Sequence, residues 1–331
     1  MRTTRTAAAL LAASALVVVA GCSSSGGKDA NEKPSDGGGG EAAGTARMKI
    51  AMVTHSGEGD TFWDIVQSGA EVAARKDNVR FLYAADPEAK EQAQLVQTYI
   101  DQKVDGIVVT LAKPEAMRDV VKKAVAAGIP VVTINSGAEF SKDLGALSHI
   151  GQDESVAGEA VGEELNKRGR KKALCVIHEQ GNVSLEARCA GVKKTFKGSV
   201  ENLNVKGTDM PSSTSSIEAK LQSAKDIDAV VTLGAPFAAA SVKAKAGAGS
   251  SAEVNTFDLN ADVVKQIKAG EIAFAVDQQP YLQGYLAIDE LWLNKTNLNV
   301  IGGGKPILTG PALVTEKDVE ALERLTADGT R

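Results

Sequence analysis

Aromatic side chains are scarce in this chain of 331 residues: two Trp, four Tyr and seven Phe, 4% of the total. An aromatic cluster outside an obvious core would therefore call for an explanation. Histidine is rarer still, and the three present, His55, His149 and His178, have no metal-ligand spacing. Each reads as a loop or strand-end residue, and neither metal nor cofactor is expected. Nucleotide and nucleophile signatures are missing too. There is no Gly-x-x-x-x-Gly-Lys-Ser/Thr phosphate loop and no Gly-x-Ser-x-Gly elbow. Gly57-Glu58-Gly59 lacks the further glycine of a dinucleotide turn, and Asp60 would meet the pyrophosphate. These absences argue against an enzyme. Positive charge is not concentrated either: 37 Lys and Arg face 42 Asp and Glu, with no basic block, which argues against nucleic acid as a partner.

Cysteine is limited to Cys22, Cys175 and Cys189. The first closes an address. Arg2 and Arg5 precede an apolar run from Ala7 to Ala20, the pattern of a secretory signal peptide over residues 1–21. Its Val19-Ala20-Gly21-Cys22 ending resembles the lipobox of bacterial lipoproteins, which implies lipid on Cys22 and an extracytoplasmic chain anchored to the bacterial cell membrane. Residues 22–46, rich in Ser, Gly and Ala, have almost nothing large and apolar to bury and are expected to form a flexible tether. No second long apolar run follows. Cys175 lies in a predicted strand and Cys189 in the next helix, so an oxidising compartment favours a disulfide, with two buried thiols as the alternative.

From Met48 onward, short apolar strands alternate with helices of 3.6-residue periodicity, joined by short loops. The pattern runs to Ser148–Asp153, restarts at Glu154, and returns after Ile272–Val276, where an apolar strand ends in Asp277-Gln278-Gln279-Pro280. The predicted fold is α/β, two doubly wound (Rossmann-like) lobes with a ligand cleft between them. Residues 47–152 plus 279–308 form the N-terminal lobe, and 153–278 plus 309–331 the C-terminal lobe. Strand ends delivering carboxylates and amides just before helices are where open α/β sheets bind ligands.

An ordered set of stretches then matches a known family. In the first lobe these are Asp60-Thr61-Phe62-Trp63, Asp105–Val109 and Gly128–Val132; Ser148–Asp153 marks the crossing. The second lobe adds Arg188 with Gly191 and Phe196, then Phe257-Asp258, then Asp277–Pro280. The chain resembles the type I periplasmic substrate-binding proteins of ABC transporters, in the branch of ribose and other simple-sugar receptors. The resemblance implies ligand contacts at Asp60, Phe62, Trp63, Asn135, Arg188, Asp258 and Gln278, with His55 and Ser136 as weaker candidates. It implies a monomeric receptor that delivers a monosaccharide or related polyol to an ABC permease by hinge closure. Two departures argue against ribose itself: Asn135-Ser136 stands where ribose receptors carry Asp-Arg, and Gly234 where they carry Asn. The alternatives are a nucleoside-binding lipoprotein of an ABC importer, or a ligand-presenting partner of a membrane sensor kinase. Phe62 falls on the inward face of its helix and Trp63 does not, so at least one ring is expected to face the cleft.

Overall fold

The computed structural model describes residues 42–57 and 59–331. The signal peptide, Cys22 and most of the proposed tether lie outside the described residues. The chain alternates as β1 (Met48–Thr54), α1 (Thr61–Lys76), β2 (Val79–Ala85), α2 (Ala89–Asp101), β3 (Gly106–Thr110), α3 (Pro114–Ala126), β4 (Val131–Ile134), the short α4 (Ala138–Ser141) and β5 (Ser148–Gly151). It continues with α5 (Glu154–Lys167), β6 (Lys172–Ile177), α6 (Val183–Thr195), β7 (Ser199–Asn204), α7 (Met210–Ser223), β8 (Ala229–Thr232), α8 (Ala235–Gly247), β9 (Glu253–Phe257), α9 (Ala261–Lys268) and β10 (Ile272–Asp277). Last come α10 (Pro280–Asn297), β11 (Ile307–Leu308), β12 (Ala312–Val314) and α11 (Val319–Ala327).

These strands form two sheets of six, ordered β11-β5-β4-β3-β1-β2 and β12-β10-β9-β8-β6-β7. Every pairing is parallel except that of β12 with β10. The central strands are continuous apolar runs because helices cover both faces: all of Gly106–Thr110 in β3 is buried. Each sheet has the switch in strand order that opens a crevice at the carboxyl ends of its strands.

Two features were not anticipated. Helix α7 begins at Met210, where Asp209 caps it by accepting from the Ser212 N–H at 3.0 Å and Pro211 suits a first turn. Its Ser- and Thr-rich start looks like a loop in sequence. After β11 the chain also adds β12 and α11, short elements with little periodicity of their own, held by β10 and by α9.

Three segments cross between the sheets: 151–154, 277–280 and 308–312. They are tied to one another. Thr309 N–H donates to the Gly151 carbonyl at 2.8 Å, and Gln279 Nε2 donates to the Thr309 carbonyl at 2.7 Å. Arg331 Nε donates to Asp277 Oδ2 at 2.6 Å.

Candidate functional site

A cleft of about 550 Å³ lies between the carboxyl ends of the two sets of strands. Asp60, Phe62, Trp63, Asn135, Arg188, Asp258 and Gln278 all line it, as do His55 and Ser136.

The first wall begins where β1 ends. Asp60 is the N-cap of α1 and accepts the Phe62 N–H at 3.1 Å, which fixes the first turn and the direction of the two rings that follow. Phe62 and Trp63 meet edge to face, centroids 5.0 Å apart, and His55 meets Trp63 at the same distance. Both rings therefore belong to the packed core as well as to the cleft: Trp63 is only 4% exposed and Phe62 only 7%. The His55 ring is held by Thr110, with Nδ1 to Oγ1 at 2.8 Å.

Asn135 and Asp258 occupy corresponding places in the two sheets, each the first residue after its strand, β4 or β9. Both adopt the left-handed backbone region, at φ 62° and 67°. Asn and Asp tolerate that region better than most residues, and such strained positions cluster at functional sites. Gln278 connects them: Asn135 Nδ2 donates to Gln278 Oε1 at 3.1 Å, and Gln278 Nε2 donates to Asp258 Oδ1 at 2.7 Å. The Ser136 hydroxyl, fully buried, donates to Asn135 Oδ1 at 2.6 Å.

Arg188 is set by close helix packing. A Cβ on Gly158 would strike the Arg188 carbonyl, and one on Gly191 the Ser155 carbonyl, so α5 and α6 touch backbone to backbone. That contact puts Glu154, the first residue of α5, against the guanidinium. Arg188 Nε and Nη2 donate to the two Glu154 oxygens at 2.5 and 3.0 Å, and Nη1 donates to the Leu233 carbonyl at 3.0 Å. The guanidinium also lies over the Phe257 ring at 4.7 Å. An Arg fork carries five N–H donors, so these contacts leave donors over for the cleft. The Cys175–Cys189 disulfide fastens α6 to β6 one residue along from Arg188.

Burial sets the electrostatics of the cleft. Burial pushes the Asp60 carboxyl up to about 6, and the Asp258 carboxyl up to about 7 despite the opposing pull of Arg188 and Gln278. Burial lowers His55, and takes His178 down to about 4, so both imidazoles are neutral at pH 7. Arg188, a buried cation, is neutralised by Glu154. Hydroxyl groups brought here meet donors and acceptors on every side.

Several lining groups carry no signal in the sequence. His178, the residue after β6, stacks on Phe237 of α8 with centroids 4.1 Å apart and planes at 13°. At the mouth, Glu179 of the second lobe reaches Lys113 Nζ at 3.2 Å and His55 Nε2 at 3.8 Å on the first, while the Val183 N–H donates to the Ala112 carbonyl at 3.0 Å. Only the Gly181-Asn182 turn before α6, with its capping Asn, hints at this edge. Among the described residues no helix is long and apolar enough to cross a membrane.

Residues 50–295 match the family model described as a periplasmic binding protein domain. The ribose import binding protein RbsB of Bacillus subtilis is 27% identical over 237 residues, spanning 69% of this chain and 75% of that protein. A carbohydrate transporter from Acidothermus cellulolyticus 11B, solved with myo-inositol, is 48% identical with a TM-score of 0.86, covering 86% of this chain and 100% of that one. An ABC transporter solute binding protein from Burkholderia graminis C4D1M, solved with D-arabinose, is 25% identical with a TM-score of 0.73, covering 82% of this chain and 96% of that one.

Proposed function

Because this chain belongs to the periplasmic binding protein family, in the branch of sugar ABC transporters, we propose that it is a lipid-anchored extracytoplasmic receptor that delivers a monosaccharide or related polyol to an ABC importer. Members of this family are binding proteins, not enzymes, and the chain is a binding protein. The observation that carries the ligand class is the makeup of the cleft. Packed rings at Phe62 and Trp63 suit the apolar C–H face of a saturated ring, and Asp60, Asn135, Arg188, Asp258 and Gln278 surround it with paired donors and acceptors. Myo-inositol, bound by the 48% identical relative, is the leading candidate.

The proposed mechanism is closure of residues 47–152 with 279–308 against 153–278 with 309–331. Ligand touches both walls only when they are together, so its differential affinity shifts the equilibrium toward the closed form, whose outer faces the permease then recognises. The three crossing segments act as the hinge, and lipid on Cys22 with the tether of residues 22–46 holds the receptor near its permease.

The test is a thermal-shift screen of the full-length, detergent-solubilised protein against myo-inositol, D-ribose, D-arabinose and a panel of nucleosides. A polyol that binds raises the melting temperature in proportion to the logarithm of its concentration over Kd. A shift with nucleosides and none with any polyol would overturn this reading in favour of a nucleoside receptor.

A further inference from the structure

His178 is unusual among the groups lining the cleft. It lies at the end of β6, and its ring is half-buried and stacked flat on Phe237. Neither ring nitrogen hydrogen-bonds to another described residue, and Nδ1 is buried with no partner. That leaves Nε2, on the cleft wall and without a protein partner, open to a ligand group.

Gly234 explains how the ring comes to sit there. Its backbone is extended, at φ −169° and ψ 148°, which any residue adopts, so glycine is not required for conformation. What glycine supplies is room. A Cβ at this position would come within 3.3 Å of His178 Cε1 and 3.7 Å of Phe237 Cδ2. The residue before α8 has therefore given up its side chain, and the imidazole fills the space that side chain would occupy.

Resting on the polyol reading above, we propose that His178 is a specificity-determining residue, a clamped neutral imidazole whose Nε2 pairs with one ligand hydroxyl. A hydroxyl can donate to Nε2 or accept from it, whichever tautomer the ring holds, whereas a C–H in the same place would leave that nitrogen unpaired. Burial holds the ring in its neutral form, which keeps the acceptor available. A site that leaves such a group unpaired with the wrong stereoisomer discriminates far more strongly than an apolar wall. Phe237 fixes the plane of the ring and thereby the direction of the selected hydroxyl.

The test measures Kd by calorimetry on the full-length protein and on His178→Phe, His178→Gln and Gly234→Ala, with two epimer pairs: myo-inositol and scyllo-inositol, D-ribose and D-arabinose. Phe preserves the stack and removes both nitrogens. His178→Phe should weaken the best-bound probe about tenfold or more and bring the epimer ratio close to one, with the melting temperature of the unliganded protein unchanged. His178→Gln, which restores a group able to donate or accept, should recover part of the ratio. If His178→Phe binds every probe within about twofold of the wild type, His178 only packs and the proposal is overturned. Should that variant fail to fold, Gly234→Ala decides: a changed epimer ratio supports the proposal and an unchanged one overturns it. A wild type that binds none of the four probes overturns the polyol reading itself, an outcome distinct from a wild type that binds while His178→Phe binds equally well.

Discussion

Asn135 donates its amide to Gln278 across 3.1 Å although the two residues are 143 positions apart. Gln278 passes the connection on to Asp258, so one glutamine side chain ties the left-handed residue after β4 to the left-handed residue after β9. Gln283 Nε2 adds a third link, donating to Gln278 Oε1 at 3.1 Å.

Gln278→Ala removes all of these links and leaves buried partners unpaired. It should lower unfolding stability by about 2–3 kcal/mol and weaken ligand binding by at least about tenfold. Urea titration and calorimetry measure the two effects separately. Wild-type affinity in this variant would show that the bridge plays no part in holding the ligand.

Asp258 gives a pH signature. Its folded-state value, about 7, lies above that of an unfolded Asp, so its contribution to stability is present in acid and is lost as pH rises through 7. Asp258→Asn does not titrate. The melting temperature of the variant minus that of the wild type should therefore rise from pH 5 to about 7 and level off above it. Using the difference cancels the opposing effect of the buried, neutral His149 and His178, which lose stability as pH falls below the unfolded histidine value. A flat difference across that range would place the Asp258 titration elsewhere. Asp258→Ala should in addition abolish the ligand-induced thermal shift.

Glu179 spans the mouth of the cleft. Burial alone would raise its carboxyl, but His55, Asn182 and Lys113 together hold it below its ordinary value, so it is charged at neutral pH. Glu179→Gln should open the unliganded protein, raising its radius of gyration in small-angle scattering, and weaken binding about two- to fivefold, as expected of a partly exposed pair. Identical scattering curves for the two proteins would exclude a latch.

Arg188→Lys keeps the charge and loses the fork. The Lys ammonium cannot match both Glu154 oxygens and the Leu233 carbonyl from a flat guanidinium plane. Affinity should fall about tenfold or more and stability by about 2–3 kcal/mol. Retention of both would mean that charge alone suffices at this position.

The disulfide closes a loop with a sequence separation of 14. Replacing both Cys175 and Cys189 with Ala should cost about 3 kcal/mol by loop-closure entropy, with ligand affinity little changed because Glu154 still holds Arg188. A loss of affinity larger than about threefold would mean that the disulfide positions Arg188.

Much of this protein is legible from residue order. The alternation of apolar runs and amphipathic helices specifies two βα lobes because a parallel strand buried on both faces must be apolar throughout, as Gly106–Thr110 is. The ends of those strands locate the cleft, since Asn135, Asp258 and Gln278 each follow the last residue of a strand. The prolines at 114, 236 and 280 mark first helical turns for the local reason that their missing N–H has no partner to lose there.

Tertiary structure alone decided what those residues do to one another. Hydrogen-bond partners depend on side-chain rotamers and on how two sheets meet, neither of which is written in local spacing. Hence Gln278 emerges as a bridge between lobes, and Arg188 as half of an ion pair with Glu154, 34 positions away and brought close by glycines at a helix crossing. His178, one of three scattered histidines in the sequence, becomes a stacked wall of the cleft only because Phe237, far along the chain, lies under it and Gly234 makes way. Local sequence determined which elements form and where they end; packing at long range determined which polar groups they leave free.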